Sequence, residues 1–75
     1  MAGKLPVVRA TEAVRALKRD GWTEDHQKGS HLFLKHANKP GYVCIPMHAG
    51  TLAPGTLRSI IHQAGLTVEL FRRLL

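Results

Sequence analysis

The sequence predicts an α+β fold, with helices laid over one face of a three-stranded antiparallel sheet. Two stretches, 11–20 and 54–64, place apolar residues at helical spacing, and between them lie three short segments bounded by turn residues. The length of 75 residues sets the scale, since it accommodates one compact domain over 1–75 and no separate modules.

Residues 1–10 show no periodicity and contain Pro6, which marks them as an N-terminal arm kept solvated by Lys4 and Arg9. The first helix runs from Thr11 to Asp20. Thr11 is its expected N-cap, Glu12 suits the positive helix end, and Ala13, Val14 and Leu17 form the apolar stripe. Gly21 closes it as the residue after the C-cap. Trp22 to Gln27 reads as a short first strand, polar except for Trp22, which is expected to pack inside.

Ser30 to His36 and Tyr42 to Ile45 are the second and third strands, joined by the turn residues Asn38-Lys39-Pro40-Gly41 into a hairpin. Alternation puts Leu32, Leu34 and His36 on one face and His31, Phe33 and Lys35 on the other. Val43 and Ile45 point inward by the same rule, Tyr42 and Cys44 outward, and Pro46 ends the strand. Met47 to Ala53 is a loop. The next helix starts near Pro54 and buries Leu57, Ile60, Ile61 and Ala64 before Gly65 stops it. Thr67 caps a last short helix through Leu74, whose Leu70, Phe71, Leu74 and Leu75 require cover.

Eleven Lys and Arg against five Asp and Glu give a net charge of +6, which favours an anionic partner, nucleic acid first and an acidic protein second. The single cysteine, Cys44, excludes an internal disulfide and a paired-cysteine metal site. No apolar run approaches the roughly 18 residues of a membrane span, and residues 1–9 lack a signal-peptide core. The expected setting is cytoplasmic, with no membrane partner.

Chemistry concentrates at Lys28-Gly29-Ser30-His31, where an imidazole opens a strand amid positive charge. RNA carries its own nucleophile, the 2′-hydroxyl. Its cleavage needs a base for that hydroxyl, cationic stabilisation of the phosphorane and an acid at the leaving 5′-oxygen, and no metal. Imidazole exchanges protons near neutral pH, so His31 is the candidate general acid/base, its alternative being an ordinary solvent-facing histidine. Lys28 and Lys35 are either phosphate contacts or solvated charges. Phe33 either stacks on an unpaired base or belongs to the core. With Ser30, which opens the expected strand beside His31, these complete the candidate RNA-binding set.

His36 and His48 are weaker catalytic candidates, and His26 and His62 read as surface residues. No spacing among the five histidines suggests a metal site, and nothing identifies a base for Cys44. Gly55-Thr56 with Arg58 either starts a helix or holds a phosphate at its N-terminus. No second proton donor is identifiable, which leaves water as a candidate acid.

The order helix, three strands, helix is that of the double-stranded RNA-binding domain, a likeness of fold alone. Read together, Leu17-Lys18-Arg19-Asp20-Gly21-Trp22, Lys28-Gly29-Ser30-His31, Val43-Cys44-Ile45-Pro46-Met47-His48, Gly55-Thr56-Leu57-Arg58-Ser59-Ile60 and Gln63-Ala64-Gly65-Leu66 resemble the HicA family of toxins from about Thr11 to Phe71. Cys44 stands where threonine or valine is more usual, and Leu32 where a second histidine is frequent. The resemblance implies a metal-independent, cofactor-free ribonuclease of a type II toxin-antitoxin system. It would act on mRNA and be held inactive by a HicB-type antitoxin, with His31 at the family's catalytic position. The alternative is a non-catalytic module that holds RNA without cutting it.

Overall fold

The computed structural model of the protein describes residues 4–48 and 50–75. Met1, Ala2 and Gly3 of the expected arm, and Ala49 of the expected loop, lie outside the described residues. The elements are α1 (Ala10–Arg19), β1 (Trp22–Lys28), β2 (His31–His36), β3 (Lys39–Pro46), α2 (Pro54–Gln63) and α3 (Val68–Leu74). The strands form one antiparallel sheet in the order β1-β2-β3, and the helices cover one face of it, giving the expected α+β architecture.

The inner face is built as alternation predicts. Leu32 and Leu34 of β2 and Val43 and Ile45 of β3 are buried against Ala13, Val14 and Leu17 of α1, Leu57, Ile60 and Ile61 of α2, and Phe71 of α3. Trp22 is 1% exposed and occupies the core at the start of β1. Of the C-terminal apolar residues, Phe71 is fully covered and Leu74 packs against the core, whereas Leu70 and Leu75 remain about half exposed.

The start of α1 differs from expectation. Arg9 and not Thr11 is the N-cap, and its backbone N–H donates to Glu12 Oε1 at 2.8 Å. The reason lies upstream, because the arm is not wholly solvated. Leu52 N–H donates to the Val8 carbonyl at 2.8 Å, Arg9 bridges Thr51, and Val8 is buried. That pairing holds Val8 and Arg9 extended, so the helix begins where the pairing ends. At the other end of the chain Thr67 caps α3 as expected, its Oγ1 accepting from Leu70 N–H at 3.1 Å.

The β2–β3 connection also departs from the expected four-residue turn. β3 begins at Lys39, which pairs with His36, while Lys35 pairs with Tyr42. Pro40 and Gly41 are therefore extra residues in the strand, not the turn itself. Proline has no N–H for the ladder and Gly41 takes φ +73°, so both are suited to an irregularity at an edge strand. Further along β3, Cys44 N–H turns away from β2 and donates to Gln63 Oε1 of α2 at 3.1 Å.

Where α1 meets the sheet, a polar knot sits beside Trp22. Asp20 accepts from Trp22 Nε1 at 3.2 Å and from Lys39 Nζ at 2.6 Å, and Lys39 Nζ also donates to the Ala64 carbonyl at 2.9 Å. His36 Nδ1 accepts from Asn38 N–H at 2.9 Å, so its Nε2 carries the proton donated to the Asp20 carbonyl at 2.7 Å. Gly21 closes α1 at φ +102°, and a Cβ there would lie 2.7 Å from His36 Nε2. Glycine is required at that position on both counts.

Candidate functional site

Among the described residues no helix covers the outer face of the sheet, and its layout follows from one irregularity in β1. Counting alternately from the buried Trp22 would send Glu24, His26 and Lys28 inward and Thr23, Asp25 and Gln27 outward. The register instead shifts between Glu24 and His26, which pair with Leu34 and Phe33 respectively, leaving Asp25 as a bulge residue. Beyond it the parity is reversed. His26 lies opposite Phe33 and Lys28 opposite His31, both on the outer face, with Asp25 beside them.

His31 opens β2 between Lys28 on one side and Pro46 on the other. It is exposed, and among the described residues its side chain has no hydrogen-bond or ion-pair partner. The Gly29-Ser30 connection is a two-residue hairpin loop with Gly29 at φ +58°, the sign that tight hairpin turns favour at this position. It is closed from the other strand by Met47 N–H on the Ser30 carbonyl at 2.6 Å. The side chains of Lys28 and Ser30 are exposed, so Lys28, Ser30 and His31 share one end of the face.

Phe33 is half-buried on the outer face, not in the core. The His26 ring lies parallel to it, with centroids 4.6 Å apart and planes 6° apart, and Tyr42 stands edge-on to both at 5.7 Å and 6.4 Å. The three rings form a small aromatic platform in the middle of the sheet. Lys35 is on the same face at its far end, where its Nζ pairs with Asp25 Oδ1 at 3.3 Å. It is engaged rather than free, unlike Lys28. Asp25 Oδ2 meets His26 Nδ1 at 2.6 Å. The bonds from His26 and then Lys35 hold the Asp25 carboxyl below its ordinary value near 3.8, so at neutral pH it is an anion that only accepts.

His26 was readable in the sequence only as a surface residue, and the missing signal was the bulge. Glu24-Asp25-His26-Gln27 contains no apolar residue whose alternation could reveal a change of parity. His36, as expected from alternation, faces away from His31, and both of its ring nitrogens are committed to the knot. His62 is exposed on the last turn of α2, far from any strand position of the outer face. Gly55 and Thr56 form the first turn of α2 behind Pro54 and Ala53.

In chemical terms the outer face offers flat rings for bases, a free ammonium for a phosphate and an unencumbered imidazole beside it. Residues 10–66 match the protein-family model described as HicA toxin of bacterial toxin-antitoxin. A comparison with curated proteins finds no match. No helix among the described residues is long and apolar enough to cross a membrane.

Proposed function

Since the chain belongs to the HicA toxin family, and so to the toxins of type II toxin-antitoxin systems, we propose that it is an endoribonuclease that cleaves mRNA without a metal, with His31 as general acid/base. The observation that carries this reading is the exposed, unpartnered imidazole of His31 facing Lys28 across the β1–β2 ladder. Neutral imidazole takes the proton of the 2′-hydroxyl, and that oxygen attacks the adjacent phosphorus. The product ends are then a 2′,3′-cyclic phosphate and a 5′-hydroxyl.

Lys28 supplies the positive charge where negative charge develops on the phosphorane, and the Ser30 hydroxyl is placed to hydrogen-bond a phosphate oxygen from the turn. Phe33, with its two ring neighbours, receives a base adjoining the scissile phosphate, which presupposes an unpaired strand. Lys35 adds positive potential from its pair with Asp25. The partner that silences this surface is a HicB-type antitoxin. An acidic, shape-matched protein over the outer face both neutralises the attraction for RNA and excludes it from His31.

The test is cleavage of a defined single-stranded RNA in EDTA by the wild type and by His31→Ala, with product ends identified. Loss of the general base slows cutting by about 10²- to 10⁴-fold. Wild-type cleavage to cyclic phosphate ends, lost in the variant, supports the reading. Equal RNA binding by both proteins with no cleavage by either replaces it with a non-catalytic RNA-binding module.

A further inference from the structure

A base at His31 leaves the other half of the reaction unassigned, because the departing 5′-oxygen must receive a proton. We propose that His26 is that proton donor, the general acid of the site, with Asp25 as its positioning residue; the proposal rests on the ribonuclease reading above.

Three features of the outer face support it. First, the bulge at Asp25 brings His26 to the same face as His31, two pairs along the ladder and on the neighbouring strand. Diagonal neighbours of this kind have Cβ atoms about 7–8 Å apart or somewhat less. A phosphate between two such imidazoles has one ring on the side of the attacking oxygen and the other on the side of the leaving oxygen, as in-line displacement requires. Second, the His26 ring is held. Phe33 stacks on one side at 4.6 Å, Tyr42 meets it edge-on at 5.7 Å, and Asp25 Oδ2 fixes Nδ1 at 2.6 Å. Third, the carboxylate accepts the hydrogen bond from Nδ1–H, so Nε2 is the nitrogen left to work, and it has no partner among the described residues.

The step balances without any other reactant. Neutral His31 removes the 2′-hydroxyl proton as the O2′–P bond forms. The P–O5′ bond breaks with its electron pair going to O5′, and imidazolium His26 delivers its Nε2 proton there. His31 ends protonated and His26 neutral, and exchange with water resets both. The charged and titratable groups facing His26 are Asp25 on its own strand, Lys35 on β2 and Tyr42 on β3, with Lys28 and His31 two pairs further along.

A leaving group that needs no proton isolates this role. A thiolate departs unaided, since a thiol is a far stronger acid than an alcohol. Paired RNA substrates with oxygen or sulfur at the single 5′ bridging position are therefore cut by wild type, His31→Ala and His26→Phe. Phenylalanine keeps a flat ring on Phe33 but carries no proton, so a loss of folding is not the expected outcome. The expected result is that His26→Phe loses about 10²-fold or more on the oxygen substrate and close to nothing on the sulfur substrate, whereas His31→Ala loses on both. Asp25→Asn should show a smaller loss with the same preference for sulfur. Equal losses of His26→Phe on both substrates, or no loss on either, overturn the assignment of His26 while leaving His31 in place. Failure of the wild type to cut either substrate overturns the ribonuclease reading itself, and this assignment with it.

Discussion

His36 and His31 stand at opposite ends of one six-residue strand and share nothing but their side-chain chemistry. His36 faces the helices, packs edge-on against Trp22 with centroids 5.3 Å apart, and spends both ring nitrogens on backbone groups. His31 faces outward at the hairpin end with neither nitrogen engaged among the described residues. His26 is intermediate, with Nδ1 bound to a carboxylate and Nε2 open. Buried polar groups must be satisfied, so an inward imidazole becomes a fixture of the backbone. Only an outward one keeps a nitrogen for proton transfer, and the strand's parity decides between the two fates.

The sharpest way to break this contrast is to measure activity and stability on the same variants. For His31→Ala, cleavage should fall by about 10²- to 10⁴-fold, equivalent to roughly 3–5 kcal/mol of barrier. Its stability, measured by urea unfolding, should change by no more than about 0.5 kcal/mol, as for other exposed positions. A variant that unfolds instead would mean that His31 is a structural residue.

Next in size is His36→Leu, which should reverse the pattern. It leaves the Asp20 carbonyl and Asn38 N–H without their partners, at about 1–3 kcal/mol for each that water cannot reach. Activity per folded molecule should persist. Gly21→Ala, which forces a Cβ against the same ring at φ +102°, should destabilise by a similar amount, read from denaturant midpoints.

Lys28→Ala is expected to slow cleavage, because the charge on the phosphorane loses its counter-charge, and to weaken binding as well. Losing one phosphate contact lowers the slope of log affinity against log salt by about 0.7 for a single strand. Lys35→Ala should change the slope less, because its ammonium is already paired with Asp25. Equal slopes for the two variants would remove the distinction between the free and the engaged lysine.

The smallest effect is a pH effect. The Asp25 carboxyl is held lower in the folded chain than its ordinary 3.8, so it contributes stability that is present above about pH 4 and is lost as the pH falls through the folded value. Melting temperatures of wild type and Asp25→Asn, followed from pH 6 downward, should converge at the acid end. A gap that stays constant with pH would assign the difference to packing rather than charge.

Much of this was legible in the sequence. The apolar alternation of Leu32 with Leu34 and of Val43 with Ile45 set the parity of β2 and β3, and with it the outward position of His31 and Phe33. The 57, 60, 61 and 64 stripe of α2 was equally plain, since period and burial reinforce each other there. Two bulges were not legible. Pro40-Gly41 has the composition of a turn, and only pairing with β2 shows that the chain turns earlier, at Ala37-Asn38. The bulge at Asp25 lies in an edge strand that is polar beyond Trp22, where a one-residue shift changes no apolar contact that could betray it. The same silence concealed His26. The cap at Arg9 was hidden for a different reason, being imposed by the Thr51-Leu52 segment far along the chain.

The bond from Cys44 N–H to Gln63 Oε1 bears on a hazard common to every open sheet. A naked border strand is a template on which copies of a chain can polymerise. Here the donor at Cys44 is already occupied by α2, and Pro46, two residues on, has none to offer. The opposite border carries Glu24, Asp25 and a kink that spoils the straight run a newcomer would need. Both margins are interrupted along part of their length, which disfavours edge-to-edge zippering of crowded copies of this chain.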